Sequence, residues 1–192
     1  MKRFLHRLPL LFVVLLLLTT AVFADMGPKP QLTVVVEHAP SELYYLDLLA
    51  EGEYEYDPDF AMDETDLDPE LLAAFRAAIP DGWHACIAEG TTGAPIWGKL
   101  TGDPAGPTNY HSFRYYGVPE TYRILIVTAS GETFLSDVLT RRTLQSSVTV
   151  DWVAKTAKPP LQSEGYLLQF AATFVPTILI ELVVLLLFGF KL

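Results

Sequence analysis

The sequence predicts a mainly β fold, an antiparallel sandwich-like extracytoplasmic domain with one short helix, set between an N-terminal signal helix and a C-terminal transmembrane helix. Three observations predict it. Short runs rich in Val, Ile, Tyr and Thr recur between Gly and Pro clusters, as strands do between turns. "LQSSVTVDW" alternates apolar and polar residues, the mark of a sheet with one buried and one wet face. Both ends of the chain are strongly apolar.

At the N-terminus Lys2, Arg3 and Arg7 precede the apolar run Leu8 to Leu18, and "AVFA" follows with Val22 and Ala24 at the positions a signal peptidase prefers. This is a secretory signal over residues 1–24, with an uncleaved signal-anchor as the alternative. "QLTVVVEH" reads as a strand, and the Ala39-Pro40-Ser41 turn leads into a second, "ELYYLDLLA". The next stretch, "EGEYEYDPDFAMDETDLDPE", has no basic residue. A helix follows: Asp68 caps it, Pro69 suits its first turn and Glu70 complements its dipole. Leu71, Leu72, Phe75 and Ile79 give it an apolar stripe that "PDG" ends. "WHACIA" and "APIWGKL" are short strand-like pieces, and "ETYRILIVT" and "TFLSDVLT" flank a tight turn at Ser130-Gly131. In "LQSSVTVDW" the alternation puts Leu144, Ser146, Val148, Val150 and Trp152 on one face. The domain is thus expected over residues 25–153, a linker over 154–166 and a membrane span over 167–190.

That span contains fourteen Leu, Ile, Val or Phe residues between Phe170 and Phe190. Together they favour insertion by roughly 6 kcal/mol, against about 2.5–3.5 kcal/mol for the central carboxyl of Glu181. Between the signal and the span the balance is acidic. From Asp25 to Glu164 there are 22 acids and nine basic residues, a net of −13. Such a surface repels nucleic acid and excludes it as a partner class. Cys86 is the single cysteine, so no intrachain disulfide exists, a composition suited to the outside of a Gram-positive-type cell.

Candidate chemistry is sparse. Glu51, Glu53, Glu55, Asp57 and Asp59 alternate, so an extended chain would project all five carboxylates to one side, where calcium is a candidate ligand outside a cell. The EF-hand spacing is absent, and a solvated acidic loop is the competing reading. "GAPIWGKL" places Gly93, Gly98 and Lys99 at Walker spacing, but Leu100 stands where the magnesium-binding hydroxyl belongs, so the match is accidental. His84 and Cys86 lie two apart on one strand face, a poor geometry for a base and its nucleophile. His38 and His111 show no zinc spacing. No catalytic residue and no cofactor is predicted. "NYHSFRYYG" offers Tyr, Phe and Arg that suit either a recognition surface or ordinary cross-strand pairing.

The span itself carries a pattern. Gln169, Thr173, Thr177 and Glu181 recur every four residues and form one slowly turning polar stripe, with Ala172 and Pro176 beside it. In lipid such a stripe is expected to face other transmembrane helices, copies of itself or a separate subunit. A GPI-anchored precursor is a further possibility that the central Glu181 and the lone Cys86 oppose.

"ADMGPKPQLTV", "ELYYLDLL", "PETYRILI" and "ELVVLLLFGFK" resemble a family of predicted membrane proteins from anaerobic Gram-positive bacteria. The resemblance implies an exported β-rich domain followed by several membrane helices, and no activity or catalytic residue. This chain departs from that pattern by ending after one span, as a shortened member or a piece of a longer protein would. The reading is a bacterial plasma-membrane protein, single-pass as given, with its main domain extracytoplasmic and its C-terminus cytoplasmic. It serves as a binding, sensing or assembly module. The alternatives are the first part of a multi-span transporter or envelope-biogenesis subunit and, third, an extracytoplasmic hydrolase.

Overall fold

The computed structural model describes residues 28–52, 62–89, 94–159 and 162–187. The expected signal, Glu53, Glu55, Asp57 and Asp59 of the acidic run, Gly93, and the last residues of the expected span at 188–190 lie outside them.

Two sheets carry the fold. The first is assembled from β1 (Gln31–Glu37), β4 (Asp103–Ala105), β5 (Thr108–Arg114), β9 (Gln145–Asp151) and β10 (Thr156–Lys158), in the spatial order β10-β9-β1-β5-β4. The second holds β2 (Tyr44–Glu51), β3 (Trp83–Ala85), β6 (Thr121–Thr128) and β7 (Thr133–Leu135), in the order β3-β2-β6-β7, and β8 (Leu139–Thr140) also pairs with β6. Among the described residues, pairing is antiparallel with one exception. β1 runs parallel to β9, with Val34 opposite Val148 and Val36 opposite Val150. The antiparallel, sandwich-like expectation does not identify this parallel pair, because periodicity reports which face of a strand is buried, not which neighbour it takes.

The two sheets share one buried apolar cluster. Leu32, Val34 and Val36 of β1, Phe113 of β5, and Val148 and Val150 of β9 supply the first sheet's part. On β2, Tyr44, Leu46 and Leu48 take the face toward the first sheet, since Tyr44 hydrogen-bonds His111 of β5. Tyr45, Asp47 and Leu49 take the other face, which α1 (Pro69–Ala77) covers with Leu71, Leu72 and Phe75. The helix forms where expected, with Asp68 accepting from the backbone N–H groups of Glu70 and Leu71. Its entry is fixed to the sheet by the Asp68 N–H, which donates to Tyr45 Oη at 2.6 Å.

Four segments differ from expectation. "WHACIA" is strand only over Trp83–Ala85, and the chain turns from Cys86 to Glu89 because Asp47 captures its N–H groups. "APIWGKL" is not a strand: it meets β5 at the single bridge between Trp97 and Arg114. On β9 the inferred buried face is buried only from Val148 onward, since Leu144 precedes the strand and is exposed. Thr156–Lys158, within the stretch read as a linker, forms β10.

The last element is α2 (Gln162–Leu187), 26 residues with Pro176 inside it. Its side chains are described without a break only over 170–186, and among the described residues no helix is long and apolar enough to cross a membrane. Leu168, Phe170 and Ile180 lie on different sides of α2 and are each more than half exposed, so apolar side chains are exposed on more than one side of the helix.

Candidate functional site: an aromatic ledge on the open sheet face

The second sheet is covered on both sides, but the first has an outer face toward solvent. Strand register fixes what that face displays. Gln31 lies opposite both Arg114 and Gln145, Thr33 opposite Ser112 and Ser147, and Val35 opposite Tyr110 and Thr149. Directly opposed residues point to the same side of a sheet. Trp97 faces Arg114 across the edge of β5, through paired backbone hydrogen bonds of 2.9 Å in both directions. One transverse row therefore reads Trp97, Arg114, Gln31, Gln145.

The row ends in an aromatic ledge. Trp97 is 61% exposed and stacks on Tyr115, with ring centroids 4.5 Å apart and planes 20° from parallel. Tyr116 meets Tyr115 edge-on at 5.0 Å, and Lys29 donates to Tyr116 Oη at 2.7 Å. Tyr115 holds φ at 90°, a left-handed backbone that costs a residue with a bulky side chain on the order of 1–3 kcal/mol. The surrounding backbone enforces it: the Tyr115 N–H donates to Pro30 O, and the Val118 N–H donates to Tyr115 O. Gly117 completes the turn, and only a glycine fits there, since a Cβ would sit 2.5 Å from Ala94 O. Beside the ledge the polar side chains are already tied together. Gln31 Nε2 donates to Thr33 and Ser112 hydroxyls at 3.3 and 3.5 Å, and Arg114 Nε donates to Ser112 Oγ at 3.0 Å.

Of the "NYHSFRYYG" residues, the structure divides the recognition reading from the core reading. Tyr110, Arg114 and Tyr116 are exposed, whereas Asn109, His111 and Phe113 point inward. Trp97 was hidden in the false Walker match, and its pairing with Arg114 is a tertiary fact that no local pattern carries.

Inside, two polar groups hold the sheets in place. Tyr44 Oη accepts from Asn109 Nδ2 at 2.7 Å and lies 3.1 Å from His111 Nε2, while His111 Nδ1 lies 3.4 Å from Lys99 O. The network assigns the imidazole proton to Nδ1 and the Tyr44 proton to the bond with Nε2. Burial lowers the His111 pKa to about 4 and pushes Tyr44 up to about 12. Gly102, at φ 66°, presses on this cluster so closely that a Cβ would lie 2.7 Å from both Asn109 Oδ1 and His111 Nε2. The second group is Asp47. Its fully buried carboxyl accepts the N–H groups of Leu48, Ile87 and Ala88 at 2.7–2.8 Å. Burial raises its pKa to about 7 against the pull of those bonds. A lone acid in "ELYYLDLLA" was the available signal.

Cys86 and His84 are both buried, and burial with the nearby Asp47 pushes the thiol well above its ordinary range. A protonated, enclosed thiol is a packing group rather than a nucleophile. Lys99 is exposed and pairs with Asp103 at 3.4 Å, and Gly98 lies against the Phe113 ring, so neither builds a phosphate loop. Glu51 ends β2 and is exposed; no group of metal-binding side chains occurs among the described residues. On α2 the backbone carries Gln169, whose side chain is outside the described residues. Thr173 donates to Phe170 O and Thr177 to Thr173 O, so both hydroxyls of the stripe bond within their own helix, and Glu181 is exposed. Comparison of the chain with protein-family models, with curated proteins and with solved structures gave no match.

Proposed function

We propose that the protein is a membrane-tethered extracytoplasmic binding module, built as a sandwich of two sheets, that presents the outer face of its first sheet to a ligand. The observation that carries this reading is the strained aromatic ledge. Trp97 and Tyr116 are exposed and Tyr115 between them is half-buried at a strained φ, beside a sheet whose neighbouring polar side chains are hydrogen-bonded to one another. The signal-like N-terminus supports export. The exposed apolar side chains of α2, on more than one side of the helix, support membrane insertion of the 167–190 segment, because such a surface calls for lipid or protein around it. Thr173 and Thr177 place little demand on a partner helix, which leaves Glu181 as the group in the stripe that calls for one.

Export is tested with an introduced thiol. Cys86 is buried and gives a silent background, whereas Ser147 is exposed on the outer face. Ser147→Cys is expected to react with a membrane-impermeant maleimide in intact cells, and labelling only after lysis overturns the reading.

A further inference from the structure

We propose that the ligand of this face is a neutral polysaccharide, with one pyranose ring stacked on Trp97 and the following sugars hydrogen-bonded along the row Arg114, Gln31, Gln145. The inference rests on the binding-module reading and names its ligand class.

Shape and chemistry both select it. Trp97 offers one broad face to solvent because Tyr115 occupies the other. An indole face is electron-rich and attracts the weakly positive C–H groups that line one side of a pyranose. A protein partner would be expected to meet an apolar surround that excludes water from such an anchor. Here the row that leads away from the ledge is instead a guanidinium, two amides and the hydroxyls of Ser112 and Thr33, with Val35 and Tyr110 farther along the same face. Planar donor–acceptor groups of that kind match vicinal hydroxyls, which both donate and accept. The row crosses from the Trp97 edge over β5 and β1 to β9, roughly 15 Å at ordinary strand spacing. That extent suits a chain of a few sugars rather than a single one.

Charge narrows the class further. The chain carries a net −10, so its field repels polyanions. Lys29, which contacts Tyr116, and Arg114, which is paired with Trp97, repel cationic ligands. A neutral chain is the ligand that neither field rejects.

The test uses the full chain in lipid nanodiscs, avoiding sugar-headed detergents, titrated with cellohexaose, chitohexaose and mannohexaose, and with hexagalacturonate as the anionic comparison. Tryptophan fluorescence and calorimetry read binding. At least one neutral hexasaccharide is expected to bind, with affinity reduced tenfold or more in Trp97→Ala and several-fold in Gln31→Ala, while hexagalacturonate does not bind. Gln31→Ala keeps the proposal testable should Trp97→Ala fail to fold. Three outcomes overturn it: no neutral hexasaccharide bound at about 1 mM, binding that both substitutions leave unchanged, or a Trp97-dependent dimer by light scattering in place of sugar binding. Failure here with Ser147→Cys still labelled from outside removes the polysaccharide alone, whereas failure of that labelling removes the module as well.

Discussion

The two sheets use similar residues for opposite ends. In the second, β2 is buried at every position from Tyr44 to Leu49 and β6 at nearly every one, because the first sheet covers one face and α1 the other. In the first, β1 and β5 alternate strictly, and every second residue looks outward. Covered on both sides, a sheet can only hold the molecule together. Open on one side, it can hold the molecule together with its inner residues and recognise something with its outer ones. Polar groups follow the same division: the Asp47 carboxyl of the second sheet is satisfied internally, whereas Arg114, Gln145 and Ser147 on the first sheet's outer face are exposed to solvent.

Substitutions sharpen this contrast, and the largest effect is expected under α1. Phe75 is wholly buried against the second sheet, so Phe75→Ala is expected to cost about 3–5 kcal/mol in denaturant unfolding. A loss below about 1 kcal/mol would mean that α1 does not cover that face.

The next effect is a matched pair with opposite pH dependence. Asp47 binds its proton more tightly folded than unfolded, so its contribution to stability grows as pH falls from about 7 into the ordinary carboxyl range near 4. His111 binds its proton less tightly folded than unfolded, so its contribution is present above about 6.5 and is lost as pH falls toward 4. The two contributions change over nearly the same pH window, with opposite sign. Asp47→Asn should make stability fall on acidification, and His111→Gln should make it rise. Parallel slopes in the two variants would contradict the assignment.

The smallest effects belong to the open face. Trp97→Ala removes one exposed ring stack and is expected to cost about 1 kcal/mol, and Ser147→Ala less than about 0.5 kcal/mol. A loss above about 3 kcal/mol for Trp97→Ala would make it a core residue and remove the case for a ligand.

How much of this was legible in the sequence follows from the same division. The capped helix, the strands β1, β2, β6 and β9, and the turn at Ser130-Gly131 were written in local pattern, since caps, apolar runs and glycine turns act over a few residues. Missed were features that depend on distant neighbours. The parallel seating of β1 on β9 joins the two ends of the domain. Trp97 owes its position to a single bridge with Arg114, and a Walker-like spacing masked it. "NYHSFRYYG" is ambiguous in the sequence because its alternation sends His111 inward to Tyr44 and Tyr110 outward. Asp47 stood alone in an apolar run, but the N–H groups it binds come from Ile87 and Ala88, which nothing local associates with it.

The parallel pair of β1 and β9 also governs timing. β1 emerges first during synthesis, yet its two neighbours begin only at Thr108 and Gln145. Its apolar face therefore waits, unpaired, until almost the whole domain has been made. Long-range pairing of this kind slows folding and leaves strand edges open to aggregation. A chain stopped before Gln145 should have a first strand with one edge unfilled, and its folding rate should be governed by how late β9 arrives rather than by how fast any single strand forms.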